Sequence, residues 1–310
     1  MRFTTLKKTD MSITVIGIGT NKVGGHNYYK DLSETEGKNF VKEAIALGVN
    51  FIDTADVYGH GRSEELIGEV LREIDTKREE LIIATKGGNE WDDNGNVRKN
   101  NRPEYLRRAL EASLKRLGTD YVDLYYLHFP DGETPIAESV GELSRLKEEG
   151  KIRAIGVSNL NLDQLKEADR TCPISALQSG YNLFDRRVEA DLLPYCAAND
   201  ISFIPYFPLA SGLLSGKYKK TDPAPKRWSQ DEFEKKIAAT EKLKEIAEAK
   251  GTNLPNLALA WLLAQNGVDA VIPGGRRPEH IQGTVKAADV KLTPEDLSAI
   301  RAVVEDPSVQ

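Results

Sequence analysis

The feature that most constrains the fold is an alternation of apolar runs with helical segments, repeated eight times. The runs are rich in Val, Ile and Leu and are apolar almost throughout, as expected of strands buried on both faces of a parallel sheet. They are ITVIGIG, VNFIDTA, LIIATK, VDLYYLH, IRAIGVS, ISALQSG, ISFIPYF and VDAVIPG. Eight such units predict an α/β fold that is a closed (β/α)8 TIM barrel, in preference to an open doubly wound sheet.

The segments between and around the runs predict how the barrel is completed. Helix start signals include Ser33 before FVKEAIALG and Asn161 before LDQLKEA. No break in composition separates the units, so we expect a single domain over residues 1–310. The opening FTTLKKTDMSI predicts a short hairpin that plugs the N-terminal end of the barrel. TPED at 293–296 predicts an extra C-terminal helix outside it, from Thr293 to about Val304.

Two polar segments are longer than ordinary connections. Residues 88–101 and 216–230 are rich in Gly, Asn, Pro and charged side chains, and loops of this length are usually functional or disordered. We predict that they wall a substrate pocket, with Trp91, Trp228 and Tyr29 as candidate aromatic walls.

Bulk composition excludes several classes of function. The 48 acidic and 42 basic residues give a net charge of −6, so we expect neither nucleic acid nor a membrane as partner. Cys172 and Cys196 are the only cysteines and cannot build a disulfide framework or a metal-type pair. The N-terminus lacks a signal-peptide pattern, and no apolar run could span a bilayer. These features predict a cytoplasmic protein without a metal.

Four ionisable side chains occur where strand-like runs end. Asp53 and Tyr58 follow the second run, Lys86 closes the third and His128 closes the fourth. In a parallel barrel these positions converge on one mouth. We expect Lys86 to lower the pKa of the Tyr58 phenol, ordinarily roughly 10, and Asp53 to hold the ammonium charged. With His128 orienting a substrate oxygen, the set predicts proton delivery to a carbonyl.

These residues lie in segments that resemble the aldo-keto reductases. The likeness runs from about Ile16 to Val290, and within the superfamily it is greatest for bacterial reductases associated with inositol and general-stress genes. The segments that carry it are FIDTADVYG, ATKGG, DLYYLH, IGVSN, LQSGYN, YFPLASGLLSGKY and VIPGGRR.

The resemblance implies an NADP(H)-dependent oxidoreductase that reduces aldehydes or ketones to alcohols. Tyr58 would be the general acid, Lys86 and Asp53 would tune its pKa, and His128 would orient a small-molecule carbonyl substrate. The cofactor would lie extended across the barrel mouth without a Rossmann domain. The sequence has no G-x-G-x-x-G, so that motif would not reveal a dinucleotide site.

The resemblance also implies how the cofactor is held. Side chains after the fifth and sixth strands would bind the carboxamide, and Tyr206 would stack on the nicotinamide ring. Backbone N–H groups after strand seven, with Lys217 and Arg227, would bind the pyrophosphate. The implied cofactor residues are Gly19, Thr20, Asp53, Ser158, Asn159, Gln178, Tyr206, Phe207, Pro208, Leu209, Ser211, Gly212, Lys217, Arg227, Gly274, Gly275, Arg276 and His280.

The residues that follow the eighth strand predict NADP(H) as cofactor in preference to NAD(H). Arg276 follows the strand-eight exit, where a guanidinium can clasp a ribose 2′-phosphate bidentately; a protonated His280 would add a donor. The chain departs from the family pattern at Phe207, where many members have Ser. It departs again at His280, Gly283 and Thr284, where Gln, Glu and Asn usually bind the 2′-phosphate and adenine.

Three other functions fit parts of the pattern. The first is a catalytically slow NADP-binding sensor, like the β subunits of potassium channels. The second is a Schiff-base aldolase using Lys86, which Asp53 disfavours because it would keep the lysine charged. The third is a metal hydrolase, which the scattered histidines do not favour. The oligomeric state and the identity of the carbonyl substrate stay open.

Overall fold

The computed structural model describes residues 1–225, 227–306 and 309. Seven parallel strands form its central sheet, in the order β11-β10-β9-β8-β5-β4-β3, and two antiparallel hairpins stand apart from it. In chain order the strands are β1 (Phe3–Thr5), β2 (Ser12–Thr14), β3 (Ile18–Gly19), β4 (Phe51–Asp53), β5 (Ile82–Gly87), β6 (Asn89–Trp91), β7 (Val97–Lys99), β8 (Val122–Leu127), β9 (Ile152–Ser158), β10 (Ala176–Gly180) and β11 (Ser202–Tyr206).

Helices follow the sheet strands in alternation, as the sequence pattern predicts. Asn161 begins one of them with a capping box in which its side chain accepts from the Gln164 N–H and the Gln164 side chain accepts in return. The helices are α1 (Glu34–Ala46), α2 (Arg62–Glu73), α3 (Pro103–Leu117), α4 (Ile136–Glu148), α5 (Leu162–Thr171), α6 (Leu192–Ala198), α7 (Gln230–Ala249), α8 (Leu254–Leu263), α9 (Pro278–Thr284) and α10 (Pro294–Val304).

The sheet closes into a barrel through the eighth apolar run, VDAVIPG. This run pairs on both sides through isolated parallel bridges, Ile16 with Val271, Gly19 with Gly274, and Phe203 with Val268. The predicted (β/α)8 barrel is therefore confirmed, but its eighth strand is a row of single bridges instead of a continuous ladder. We call this line of bridges, between β3 and β11, the seam.

Two buried clusters support the barrel. One lies between the strands and the surrounding helices and includes Phe40, Leu66 and Leu110. The other fills the barrel interior, where Leu6 and Met11 of the first hairpin pack with strand residues such as Phe51, Ile82 and Leu124. The predicted N-terminal hairpin plug is thus confirmed.

The predicted C-terminal helix is also confirmed, since α10 begins after Thr293, whose side chain accepts from the Asp296 N–H. Helix α10 packs against α7, outside the barrel. Within the described ranges, none of the helices is both long and apolar enough to cross a membrane.

One of the two predicted loops contains regular structure. Strands β6 and β7 pair antiparallel within residues 88–101. The turn between them is built on Asp92, whose carboxylate accepts from the backbone N–H groups of Asn94 and Asn96. The other segment is irregular over its described residues, 216–225 and 227–229, and α7 begins at Gln230.

Candidate active site

A buried ion pair lies at the carboxyl ends of β4 and β5. Lys86 Nζ is 2.5 Å from Asp53 Oδ1 and donates a second hydrogen bond of 2.7 Å to the Thr54 carbonyl. The other Asp53 oxygen accepts from Gln178 Nε2 at 2.9 Å. Lys86 is fully buried, so this partnering is what makes an ammonium group tolerable there. The pair is held rigidly by groups from three strands.

Tyr58 and His128 complete the predicted group of four. The Lys86 ammonium lies 5.4 Å from the centre of the Tyr58 ring. The Tyr58 and His128 rings are 6.2 Å apart and nearly perpendicular. The structure therefore brings together the four side chains that the sequence analysis selected.

The electrostatic environment of Tyr58 differs from the expectation. Burial raises the pKa of the Tyr58 phenol well above its usual value, and the charge of Asp53 raises it further. Lys86, which was expected to lower this pKa, donates its hydrogen bonds to Asp53 and to the Thr54 carbonyl, and burial of the phenol has the larger effect. At neutral pH the phenol therefore carries its proton.

His128 is a neutral imidazole. Burial lowers its pKa well below the usual value, and the nearby Lys86 charge lowers it further. Its Nδ1 lies 2.9 Å from the side-chain nitrogen of Asn89. Asn89 was not predicted from the sequence, because an amide in a polar segment carries no signal of its own beyond following ATKGG.

The residues predicted to bind the carboxamide form one network with His128. Asn159 donates to the His128 carbonyl at 3.0 Å and to Ser158 Oγ at 2.9 Å. Its side-chain oxygen accepts from the Tyr206 hydroxyl at 2.8 Å. Asn159 has φ of 60°, a left-handed conformation that Asn tolerates better than most residues. Gln178 differs in that its amide nitrogen already bonds Asp53.

The loop after β11 has an unusual backbone. Phe207, Ala210, Ser211 and Gly212 have φ between 47° and 97°, while Pro208 is buried and Leu209 half-buried beside them. Left-handed residues in close succession turn backbone N–H groups toward a common concave side, where anions bind. Strain of this kind is typical of ligand loops.

Four cations gather around this loop. A Cβ on Gly212 would lie 2.9–3.0 Å from the end of Lys217, and Arg227 donates to the Ser211 hydroxyl. Burial lowers the pKa of Lys22, and the charges of Lys217 and Arg276 lower it further. Lys22 was not predicted from the sequence, because a lysine in a turn resembles an ordinary surface residue.

The four cations near this loop are Lys22, Lys217, Arg227 and Arg276. Within residues 1–225, 227–306 and 309, none of them forms an ion pair. Mutual repulsion of this kind is relieved by a bound polyanion. The residues present therefore fit a pyrophosphate-containing ligand.

The seam brings the remaining predicted cofactor residues together. Gly19 bridges Gly274, and a Cβ on Gly275 would collide with the Phe40 ring, so this crossing requires glycine. Thr20 is fully buried, and its hydroxyl donates to the Asp53 carbonyl at 2.9 Å. This hydrogen bond holds the backbone of Asp53, whose side chain forms the ion pair with Lys86.

His280 does not have the predicted charge. Its Nδ1 accepts from the backbone N–H groups of Arg276 and Arg277 at 3.2 and 3.3 Å. Burial lowers its pKa, with the charge of Arg277 as the next cause. A neutral, internally bonded His280 is not the protonated donor that the sequence analysis expected.

The predicted aromatic walls are divided between different places. Trp91 stacks on His60 with ring centres 5.5 Å apart, while Trp228 is half-buried against the core beside Arg227. Tyr29 lies 5.4 Å from the Lys22 ammonium, among the cations. The exposed Tyr28 ring, which was not predicted, lies edge-on to Tyr58, with ring centres 6.3 Å apart.

Comparison with known proteins agrees with this geometry. The model of the Aldo/keto reductase family matches residues 15–305, and the chain belongs to that family. It is 36% identical to aldo-keto reductase yakc of Schizosaccharomyces pombe, whose name specifies NADP(+), over 96% of this chain and 90% of that protein. It is 35% identical to the NADH-specific methylglyoxal reductase of Escherichia coli, over 97% of each.

A solved structure shows the same fold. The glycerol dehydrogenase of Gluconobacter oxydans superimposes with a TM-score of 0.91 at 32% identity, over 99% of this chain and 96% of that one. The protein is thus an enzyme of a family that carries out carbonyl reduction with nicotinamide cofactors.

Proposed function

We propose that this protein is an NADP(H)-dependent reductase that converts aldehydes or ketones to alcohols, with Tyr58 as the general acid. The observation that carries the proposal is the convergence of Tyr58 and His128 beside the buried pair of Lys86 and Asp53. A protonated phenol and a neutral imidazole in one pocket are suited to donating hydrogen bonds to one carbonyl oxygen.

Each residue of this group has a distinct role in the proposal. Tyr58 gives its proton to the carbonyl oxygen, and its raised pKa keeps that proton available at neutral pH. Lys86 is fixed by Asp53 and stabilises the phenolate that remains. His128 donates a hydrogen bond that orients the carbonyl. A reduced nicotinamide, held at the mouth by the cofactor residues, would supply the hydride when bound.

The cofactor residues follow from the same geometry. The left-handed loop at Phe207–Gly212 and the cations Lys217, Arg227 and Lys22 would bind the pyrophosphate. Ser158, Asn159 and Gln178 would bind the carboxamide beside His128, and Tyr206 would stack on the ring.

We further propose a preference for NADP(H) over NAD(H). One of the named relatives is specified for NADP(+) and another for NADH. We therefore infer the preference from this chain's own residues. Arg276 is exposed where the eighth strand ends and is one of the four cations near the loop that follows β11. A 2′-phosphate would be a bidentate partner for its guanidinium.

The partner in this proposal is a small carbonyl compound, and neither nucleic acid nor a membrane takes part. We place the protein in the cytoplasm, which the free, buried thiols of Cys172 and Cys196 support, because reduced cysteines persist there.

Replacing Tyr58 by Phe tests the proposed reaction. We expect turnover of an aldehyde and ketone panel to fall by about 10²-fold or more, the size of a lost general acid. NADPH affinity, measured by fluorescence quenching, should stay within about twofold. The matched control is Tyr28→Phe, which removes a hydroxyl from the exposed neighbouring ring and should keep turnover. Near wild-type reduction by the Tyr58 variant would remove this residue from the mechanism.

A further inference from the structure

Asn89 is held in a defined position next to the predicted active site. It opens β6 two residues after β5 ends at Gly87, and it is only 6% exposed. Its carbonyl accepts from the Tyr105 hydroxyl at 2.6 Å, and its backbone pairs with Lys99 of β7. The backbone of Asn89 is thus anchored by a helix and a strand, which fixes the point from which its side chain extends.

The Asn89 side chain contacts the Nδ1 edge of the His128 imidazole. Its Nδ2 lies 2.9 Å from His128 Nδ1. A neutral imidazole has one nitrogen that donates and one that accepts, whereas an amide NH2 can only donate. Nδ1 must therefore accept this hydrogen bond, and the proton must be on Nε2.

The rest of His128 is equally constrained. Its backbone N–H donates to the Gly87 carbonyl at 2.9 Å, and its own carbonyl accepts from Asn159 at 3.0 Å. The ring stacks on Phe129, with centres 4.7 Å apart. With Nδ1 occupied, Nε2 is the nitrogen left to face a substrate.

We infer that Asn89 is a positioning residue that fixes His128 as the Nε2–H tautomer, so that the imidazole donates to the substrate carbonyl oxygen. This inference rests on the proposed function for its consequence, but the tautomer itself can be measured without turnover. Partners that set the tautomer of a working histidine are a general device of protein sites.

Changing Asn89 to Asp reverses the hydrogen-bond demand while nearly preserving shape. A carboxylate can only accept, so it draws a proton onto Nδ1. Asn89→Leu removes the donor without adding an acceptor and serves if the charged variant does not fold. Asn94→Asp is the matched control, because Asn94 is exposed at the tip of the same hairpin.

Nitrogen-15 NMR of histidine-labelled protein at pH 7 gives the direct test, with His128 assigned through a His128→Asn variant. In the wild type we expect an unprotonated Nδ1 and a protonated Nε2, and in Asn94→Asp the same. In Asn89→Asp, Nδ1 should carry a proton, and Asn89→Leu should give a mixture of tautomers. A protonated Nδ1 in the wild type, or an unprotonated Nδ1 in Asn89→Asp, would overturn the inference.

The pH profile of carbonyl reduction gives a second test. The titratable groups facing the imidazole are Lys86 and Tyr58, with Asp53 behind Lys86. The Tyr105 hydroxyl bonds the Asn89 carbonyl, and the Lys99 ammonium lies over the Phe129 ring. All are unchanged in the variants, so a new ionisation in Asn89→Asp belongs to His128 and the introduced carboxylate.

In Asn89→Asp, the imidazolium formed at low pH still donates from Nε2, but on deprotonation the remaining proton stays on Nδ1. We therefore expect kcat/KM, relative to wild type, to fall with rising pH by about 10²-fold, the cost of one lost donor to a developing oxyanion. A constant ratio across pH would overturn the inference. The expected NMR patterns in a protein that reduces no carbonyl compound would support the tautomer and refute the proposed function.

Discussion

At the scale of single residues, the site is organised around buried charge. Lys86 has no exposed surface, yet its ammonium has two short partners, Asp53 and the Thr54 carbonyl. Removing either charge alone would leave the other buried and uncompensated, which is more costly than losing an exposed pair. The two side chains therefore act as a unit, and the Tyr58 phenol experiences the combined charge of Lys86 and Asp53.

We expect the proposed cofactor preference to depend on one exposed guanidinium, that of Arg276. Arg276→Ala should weaken NADPH binding by about tenfold or more, since charged hydrogen bonds contribute about 1.5–3 kcal/mol. NADH binding should stay within about twofold, because NADH has no 2′-phosphate. Titrating both cofactors by fluorescence quenching measures the two affinities.

Arg277→Ala is the control for that experiment. Arg277 is equally exposed and precedes α9 directly, so its removal takes away the same charge one residue further along. Its variant should keep most of the preference. Equal wild-type affinities for the two cofactors, or an Arg276 variant that still prefers NADPH, would refute the assignment.

Residue types at strand ends were predictable, whereas their electrostatics were not. Asp53, Tyr58, Lys86 and His128 stand out in sequence because ionisable residues are rare beside buried strands. The direction of the Tyr58 pKa shift depends first on how deeply the fold buries the phenol and then on the charge of Asp53, and the sequence specifies neither. Asn89 and Lys22 gave no signal, because amides and lysines are ordinary in polar segments.

At the scale of elements, the fit between neighbouring strands depends on a missing side chain. Gly156 of β9 lies beside Tyr126 of β8, and a Cβ there would collide with the Tyr126 ring. Both residues are buried, and the Tyr126 ring is 5.7 Å from the Lys86 ammonium. The close packing of these two strands therefore lies next to the ion pair of Lys86 and Asp53.

Gly156→Ala should destabilise the protein by about 1–3 kcal/mol or more, the usual cost of overfilling a packed core. Gly141→Ala is the matched control. Gly141 lies inside α4, and a Cβ there has no atom within 4 Å, so the change should stabilise by about 0.5–1 kcal/mol through helix propensity. Thermal and urea unfolding of the two variants should shift in opposite directions. A Gly156 variant as stable as wild type would show that Tyr126 can move aside.

Regular elements were predictable where hydrophobic periodicity specifies them. The seven sheet strands and the α1, α5 and α10 helices coincide with apolar runs and caps in the sequence. Strands β6 and β7 were not predictable because each has three residues and the segment is mostly polar. Their pairing depends on the turn at Asp92 and on contacts with residues such as Tyr105.

At the scale of the whole molecule, the barrel has one weakly paired line. The eighth run is joined to β3 and β11 by single bridges, while β8 and β9 share an extended ladder. The proposed cofactor residues Gly19 and Gly274 lie on opposite sides of this seam. A cofactor bound there would hold the two edges together.

Hydrogen exchange can test this coupling between barrel closure and ligand binding. The seam bonds run from the Gly17 N–H to the Val271 carbonyl at 2.8 Å and from the Val271 N–H to the Val15 carbonyl at 2.9 Å. NADPH at about 100 times its Kd should slow exchange of these amides by up to about 100-fold, because an open seam cannot bind it. Local exchange in α4, across the barrel, should be unchanged, and Arg276→Ala at the same NADPH concentration should protect the seam less. If α4 were slowed as much as the seam, or the seam not at all, cofactor binding would not stabilise the seam in particular.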